Sequence, residues 1–458
     1  MNHPRFMLAA PASGSGKTLI TCGILQVLAN RGLHPASFKC GPDYIDPLFH
    51  EKVLGEKSHN LDSFFFDTPT LNYLFKKGSA DHEISVVEGV MGYYDGIAGI
   101  STDGSAYHIA KTTNTPTILI VNARGSSVSL AALIQGFKNF RQDSHIQGVI
   151  LNQTTQMLYP RIKAFIEEET GVAVVGFVPK LTDISLESRH LGLILPHEIE
   201  DIQNQLQRLA SILENTLDFD AILNIASNTP PLSSDFLPPD HHFPLTIGVA
   251  ADEAFCFTYS DNLDLMQQWG VKLKFFSPLS DEKLPEHIHG LILSGGYPEL
   301  HAQTLSNNTA MLRSIQSAIE QGLPTIAECG GFMYLHREME DMDGISHKMV
   351  GVIDGKAIKT QKLSRFGYIT LENAIVFGEP VGDVPAHEFH YFDSTQIGDD
   401  FKAQKPQSKR GWSTGHATDT LLAGFPHIHF FGNLKVLSSF LTQCEQQNNM
   451  CFPTEKRS

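Results

Sequence analysis

Short strand-like runs, most of them rich in valine and isoleucine, recur along the first half of the chain. Residues 5–10, 36–39, 84–89, 117–122, 147–152 and 173–178 have strand length. Between some of them, residues 17–31, 126–140 and 160–169 place apolar side chains at helical spacing. This alternation predicts a mostly parallel sheet with helices on both faces. The rhythm lapses near residue 225. Residues 228–243 include Pro230, Pro231, Pro238 and Pro239 among serines and aspartates. Such a stretch has few backbone donors and little to bury, so it reads as a linker, with an ordered surface loop as the alternative. A second alternation begins at Leu245. Strand-like pieces cover 245–250, 273–276, 290–293 and 324–327, and helical patterns cover 261–269 and 310–321. The expected fold is therefore two open α/β domains. The boundaries drawn are 1–226 for the first domain, 227–244 for the linker, 245–442 for the second domain and 443–458 for a polar, frayed tail.

Composition narrows the function. A length of 458 residues exceeds one ordinary core, and a hydrophobic content of 41% suffices for two. The formal charge of −16 argues against nucleic acid or an anionic membrane as partner, and it requires a local basic pocket for any anionic substrate. No apolar stretch approaches the ~18 residues of a membrane span. Six cysteines, at 22, 40, 256, 329, 444 and 451, show no paired spacing. That points to a reducing cytoplasm and away from zinc. A glycine-rich motif follows the first strand at once, so a cleaved leader is not expected.

That motif is Pro11-Ala12-Ser13-Gly14-Ser15-Gly16-Lys17-Thr18, between a strand and a helix. Small residues let backbone N–H groups close around phosphate oxygens, Lys17 adds charge, and the Thr18 hydroxyl can ligate Mg²⁺. Pro11 replaces the usual first glycine. Glu88 ends the apolar run 84–88, and Asp43 and Asp46 follow the second strand in Lys39-Cys40-Gly41-Pro42-Asp43-Tyr44-Ile45-Asp46-Pro47. Ligands gather at strand carboxyl ends in open α/β sheets. Three carboxylates there suit Mg·ATP and a substrate group.

In the second half, Ile326-Ala327-Glu328-Cys329-Gly330-Gly331 ends a strand and opens a helical segment. A cysteine on such an elbow is exposed for attack, and a nearby helix N-terminus is expected to lower its pKa. Upstream, Leu293-Ser294-Gly295-Gly296-Tyr297-Pro298-Glu299 also follows a strand, and the backbone N–H groups of Gly295 and Gly296 are candidates for an oxyanion hole. The base must come from elsewhere in sequence. His427 and His429 would share one side of a strand, and His387 and His390 are rivals.

These segments together resemble the cobyrinate a,c-diamide synthases of vitamin B12 biosynthesis. The resemblance spans roughly residues 4–440. Besides the motifs above, it rests on Glu88-Gly89-Val90-Met91-Gly92-Tyr93-Tyr94-Asp95-Gly96, Arg189-His190-Leu191-Gly192-Leu193, His387-Glu388-Phe389-His390 and His427-Ile428-His429-Phe430. The N-terminal half is similar to dethiobiotin synthetase. The C-terminal half is similar to class I glutamine amidotransferases of the cobyric-acid-synthase type, with a flavodoxin-like fold. The resemblance implies a ligase with glutamine as amido donor, ATP as cosubstrate and Mg²⁺ as cofactor. It implies amidation of the a and c acetates of a corrinoid polycarboxylate through an acyl phosphate. It makes Cys329 the nucleophile and His427 its base, gives Lys17 and Thr18 to ATP and Mg²⁺, and places Asn152 near the adenine. Asp43, Asp46, Glu88 and Asp95 join the metal and carboxylate-activation site, and Arg189 and His190 become phosphate or carboxylate contacts. A homodimer is left open.

Three departures stand out. His429 occupies the place of the glutamate that orients the histidine in many class I amidotransferases. Asn122 replaces an aspartate, and Gln153 stands where relatives often have arginine. Rival readings are the same chemistry on hydrogenobyrinate or Ni-sirohydrochlorin, and a P-loop ATPase switch with an inert amidotransferase-like binding module. Intact Cys329 and His427 speak against the second.

Overall fold

The computed structural model describes residues 3–181, 184, 188–189, 192–193, 195–363 and 365–451. The chain falls into two compact units, Met1–Leu237 and Pro238–Ser458. In the first, β1 (Arg5–Ala9), β2 (Pro35–Cys40), β3 (His59–Leu61), β4 (Ile84–Glu88), β5 (Thr117–Asn122), β6 (Ile146–Asn152) and β7 (Ala173–Val178) form a seven-stranded sheet in the order β3-β2-β4-β1-β5-β6-β7. All its pairings are parallel. Every residue of β1 and β4 is buried, as a sheet covered on both faces requires. The helices are α1 (Lys17–Asn30), α2 (Ile45–Leu54), α3 (Thr68–Gly78), α4 (Ala106–Thr112), α5 (Ser129–Phe140), α6 (Tyr159–Thr170), α7 (Ile202–Thr216) and α8 (Phe219–Ser227). Two short strands, β8 (Ser188–Arg189) and β9 (Gly192–Leu193), pair with each other.

Sheet order does the positioning. β2, β4 and β1 are neighbours although they are not consecutive in sequence. Lys39 of β2 therefore stands opposite Glu88 of β4, and Glu88 opposite Leu8 of β1. Three strand ends, and the loops that leave them, are thereby brought to one edge.

The second unit is built on β10 (Thr246–Ala250), β11 (Lys272–Phe276), β12 (Gly290–Leu293) and β13 (Thr325–Glu328), with helices α9 (Ser260–Gln268), α10 (Ala302–Asn307), α11 (Thr309–Glu320) and α12 (Gly330–Leu335). The chain then adds β14 (His336–Glu340), β15 (Ser346–Lys348), β16 (Ile353–Lys359), β17 (Arg365–Val376), β18 (Glu379–His390), β19 (Phe392–Ser394), β20 (Phe401–Gln404), β21 (Gly411–Thr414), β22 (His416–Ala417), β23 (Leu421–Gly424), β24 (His427–Ile428) and α13 (Leu434–Cys451). The central sheet runs β11-β10-β12-β13-β23-β22, parallel except at β22. Two smaller sheets, β15-β14-β16-β19 and β21-β20-β17-β18-β24, are mainly antiparallel. The α/β alternation did not predict them. The twelve-residue strand β18 contains Pro380, Gly382 and Pro385, residues that ordinarily argue against a strand interior.

The proline-rich stretch has no regular structure from 229 to 245, yet it is anchored. Thr229 Oγ1 donates to His3 O (3.1 Å), Arg5 Nη2 to Pro230 O (2.8 Å) and Ser234 Oγ to Pro69 O (2.6 Å). Beyond the division, Trp269 Nε1 donates to Pro239 O (3.0 Å). At the other end, α13 runs through the boundary drawn at 442. Its buried Val436, Leu437, Phe440, Leu441 and Cys444 recur at helical spacing, which extends the helix into sequence that reads as a polar tail.

Candidate active sites

The loop after β1 turns through Gly14 and Gly16, both with left-handed backbone (φ +74° and +85°), and releases the chain into α1 at Lys17. Ser15 Oγ donates to Ala12 O (2.7 Å), and Asn152 Nδ2, at the end of β6, donates to Ser15 O (2.9 Å). The loop after β4 is knit to it. Lys17 Nζ donates to Met91 O (2.7 Å), and Tyr93 N to Ala10 O (2.9 Å). A methyl group on Gly92 would stand 2.3 Å from Asp95 Oδ2 and 2.6 Å from Pro11 O, so only glycine lets these two loops touch. Asp95 Oδ2 in turn accepts from Gly92 N (3.1 Å).

Behind the loop lies a buried charge cluster. Thr18 Oγ1 donates to Glu88 Oε1 (2.8 Å). Lys39 Nζ donates to Asp46, to Glu88 Oε1 (2.9 Å) and to Gly89 O (3.3 Å). The other oxygen, Glu88 Oε2, shares a hydrogen bond with His50 Nε2 (2.8 Å). Burial opposes the charge of Lys39, but Asp46, Glu88 and Asp43 outweigh it and hold the ammonium well above its ordinary range. Burial likewise works against the Glu88 carboxylate, but Lys39 and His50 hold its pKa well below the usual value. Asp46 is the exception. Burial and the neighbouring Asp43 raise its carboxyl well above the usual range despite Lys39. Lys17 is pushed down to about 8 by burial and by the charge of Lys39.

The structure thus brings Lys17, Thr18, Asp46 and Glu88 together at one edge, with Asp95 and Asn152 bonded to the surrounding loops. Asp43 is turned partly away. Its Oδ1 accepts from Ile45 N (2.8 Å) and Asp46 N (3.0 Å), capping the start of α2. Lys39 and His50 were not singled out from sequence, although Lys39 lies at the centre of the cluster. The side chain of Arg189 and the whole of His190 lie outside the described residues.

In the second unit, Cys329 follows β13 with φ +47° and ψ −100°, a sparsely populated conformation for a non-glycine residue. Its N donates to Gly424 O (2.8 Å), tying the elbow to the end of β23. A methyl group on Gly331 would meet Leu293 O at 2.0 Å, so the turn packs directly onto the end of β12. Gly296 N would lie 3.0 Å from a methyl group on Gly330, which puts that amide beside the elbow. The backbone at Gly295 accepts from Phe257 N (3.0 Å).

The expectation of a lowered cysteine pKa is corrected. Burial pushes the Cys329 thiol far up, and the carboxylates of Glu299, Glu388 and Glu328 add to the effect, against a smaller opposing contribution from the Gly330 backbone. The helix that follows has only six residues, too short to offset this. The thiol is therefore neutral at rest.

His427 lies with its ring Cε1 only 2.5 Å from where a methyl group on Gly295 would sit. Its ring faces His387, directly opposite on β18, with centroids 5.5 Å apart. The shared-strand picture for His427 and His429 is also corrected, because β24 ends at Ile428 and the chain turns. His429 Nδ1 accepts from Phe431 N (3.4 Å), and its ring packs 4.7 Å from Tyr259. Asn262 fastens this turn from both sides, donating to Ile428 O (3.0 Å) and accepting from Phe430 N (2.8 Å). His390 stacks on Phe425 at 3.9 Å and contacts Glu388 at 3.3 Å. Among the histidines weighed from sequence, His427 is the one against the glycine turn. His387 is held neutral, first by burial and then by the proximity of His427, Lys405 and His390.

Two family models match these units. One, described as a CobQ/CobB/MinD/ParA nucleotide binding domain, covers residues 6–194, and the other, a CobB/CobQ-like glutamine amidotransferase domain, covers residues 246–435. A cobyrinate a,c-diamide synthase of Caldanaerobacter subterraneus subsp. tengcongensis is 38% identical over 96% of this chain and 98% of its own length. The synthase of the same name from Dehalococcoides mccartyi is 37% identical over 96% and 98%, and that of Fusobacterium nucleatum 39% over 94% and 98%. The chain belongs to the cobyrinate a,c-diamide synthase family. It is accordingly an amide-forming ligase, with ATP as cosubstrate and glutamine as nitrogen donor.

Membership of the cobyrinate a,c-diamide synthase family gives the departures a place in the fold. Asn122 is exposed and accepts from Arg124 N (3.0 Å), one strand away from Asn152. Gln153 adopts a left-handed φ of +60° immediately after β6. His429 is fully buried and serves the turn that follows β24. No helix among the described residues is long and apolar enough to cross a membrane.

Proposed function

We propose that this chain amidates the a and c acetate carboxylates of cobyrinate in two rounds, each using ATP and glutamine. The reading is carried by one observation. A single chain holds both a phosphate loop knit to buried carboxylates and a strained cysteine elbow beside a histidine. The ligase half is assigned to residues 1–226 and the amidotransferase half to 245–442.

In the ligase half, backbone N–H groups of Gly14, Ser15 and Gly16 cradle phosphate oxygens, and Asn152 lines the adenine side. Lys17 places its ammonium against the phosphates, whose charge offsets the burial that depresses its pKa. An acetate oxygen of the substrate attacks the γ-phosphorus, ADP leaves, and a mixed acyl phosphate forms. The work of the protein is positioning and charge compensation. Ammonia then attacks the acyl carbon and inorganic phosphate departs. Asp95 and Asp46 belong to the carboxylate-activation side of the site, with Arg189 and His190 as further anion contacts.

The donor set fits Mg²⁺. Thr18, Asp43 and Glu88 offer hard oxygens, with Asp46 beside them. When bound there, Mg²⁺ would neutralise charge on the transferring phosphoryl group.

In the amidotransferase half, His427 takes the Cys329 proton as the sulfur attacks the glutamine carboxamide carbon. Amides of Gly295 and Gly296 receive the developing oxyanion. The same proton leaves with ammonia, and water hydrolyses the glutamyl thioester. The proposal includes a cytoplasmic setting that keeps Cys329 reduced. It leaves a homodimer open to measurement by light scattering.

The test is mass spectrometry of products formed from cobyrinate and from hydrogenobyrinate with ATP and glutamine. Gain of one and then two amides on cobyrinate is the expected result. Amidation of hydrogenobyrinate alone would reassign the substrate.

A further inference from the structure

The family's more familiar relatives orient the catalytic histidine with a glutamate two residues later, and here that position is the buried His429. The neighbourhood of His427 contains a substitute from an unexpected direction. Glu328, the last residue of β13 and the neighbour of Cys329, extends its side chain to β24. Its Oε1 accepts from Ile428 N (3.1 Å), which fixes the carboxylate against the backbone next to the histidine. Its Oε2 then lies 3.8 Å from His427 Nδ1. The carboxylate is largely buried, with a side-chain exposure of 15%.

We propose that Glu328 is the positioning residue of the amidotransferase half, aligning His427 through Nδ1 from the nucleophile's own strand. The inference rests on the assignment of Cys329 and His427 made above. Three contacts define the ring. Its Nδ1 lies 3.8 Å from Glu328 Oε2, its Cε1 abuts Gly295, and His387 lies across its face with ring centroids 5.5 Å apart. A carboxylate at Nδ1 favours the tautomer with hydrogen on Nδ1. That leaves Nε2 with the lone pair a base requires. It also stabilises the imidazolium formed when the thiol gives up its proton. Three neighbouring groups are otherwise engaged or uncharged. His387 is held neutral, Lys405 donates to Phe366 O and Tyr368 O on β17, and Glu388 is engaged by His390. One short side chain thus couples the geometry of nucleophile and base, because moving β13 moves both.

Two variants discriminate this role from a structural one. Glu328→Gln keeps an oxygen for Ile428 N but turns an amide N–H toward Nδ1, which selects the wrong tautomer. Glu328→Ala removes the backbone bond and takes the carboxylate away from Nδ1. The proposal predicts that Gln is at least as damaging as Ala to kcat for glutamine hydrolysis. The expected loss is about 100-fold, at the lower end of general-base contributions. KM for glutamine should change little, and ammonia-driven synthesis should continue in both variants. If Gln behaves like the parent while Ala is impaired, Glu328 is only a backbone clamp and the proposal falls. If both variants hydrolyse glutamine normally, it falls as well. Cys329→Ser serves as the control. Persisting glutamine hydrolysis in that variant would overturn the underlying site assignment and not merely the role of Glu328.

Discussion

Replacing Lys39 with methionine is the most informative perturbation of the ligase half. The side chain is buried, with 3% exposure, and makes hydrogen bonds to Asp46, Glu88 and Gly89 O. Methionine fills similar volume but leaves two buried carboxylates short of a cation. Removing one partner of a buried ion pair costs about 3–5 kcal/mol. In a unit of this size that corresponds to a fall of roughly 10 °C in unfolding temperature. Glu88 retains His50 and Thr18, so the larger share of the loss should fall on Asp46. The sign of its pH dependence follows. Loss of Lys39 removes the cation that opposes the upward shift of Asp46, so the folded variant holds that proton more tightly than the parent does, whereas the unfolded chain loses it above about pH 4. The unfolded state therefore gains as pH rises, and the stability deficit should be small near pH 5 and larger near pH 8. Thermal unfolding of Lys39→Met and of Lys39→Met/Asp46→Asn across that range is the assay. The double variant should recover most of the stability and flatten the pH dependence, while ammonia-driven synthesis stays abolished in both. A single variant that unfolds within about 2 °C of the parent at pH 8, or that still makes product, would refute the role given to this cluster.

Further expectations can be checked independently. Cys329→Ser should lose glutamine-dependent synthesis and keep synthesis from high ammonia, and failure of ammonia to rescue it would sink the two-site scheme. Lys17→Ala should stop product formation from either nitrogen source, measured by product mass spectrometry. Because burial keeps the Cys329 thiol protonated, iodoacetamide at neutral pH should label the half-buried Cys256 before Cys329, as read by peptide mass mapping. His336, pushed down to about 4 by burial, binds its proton in the unfolded chain first. The second unit should therefore lose on the order of 3 kcal/mol as pH falls from about 6.5 to about 4, and denaturant titrations of His336→Asn should show a flatter profile there.

The sequence carries the strands and the loops much better than it carries the partners. Valine- and isoleucine-rich runs locate β4, β5, β6 and β7, and the apolar run at residues 6–9 locates β1, because each is largely buried on both faces. The glycines of 14–16 and 330–331 mark turns that tolerate few other residues. Lys39 escaped notice because nothing local distinguishes it from any lysine at a strand end. Only the order β2-β4-β1, which joins strands distant in sequence, sets it against Glu88. Glu328 escaped for a similar reason, as its partner lies about a hundred residues away on β24. The antiparallel sheets around β17 and β18 were missed because proline, glycine and charge interrupt the period-two pattern there. The rise in the Cys329 pKa was invisible because it depends on burial and on Glu299 and Glu388, neither of which the elbow motif contains.

The two halves treat charge in opposite ways, and the chemistry explains why. The ligase edge gathers Lys17, Lys39, Asp46 and Glu88 in paired form, since its reactants are phosphate and carboxylate anions that need compensation while a bond is made between them. The amidotransferase elbow keeps its thiol uncharged while carboxylates stand nearby. The Cys329 thiol is held protonated and His387 is held uncharged, each by burial. A sulfur that ionises only as His427 accepts its proton ties thiolate formation to a correctly placed glutamine, and the proton so stored departs on the nitrogen. Ammonia must travel uncharged to attack an acyl phosphate, because ammonium has no lone pair to offer. The raised thiol pKa, contrary to the expectation from the elbow alone, fits a sulfur that ionises only when His427 takes its proton.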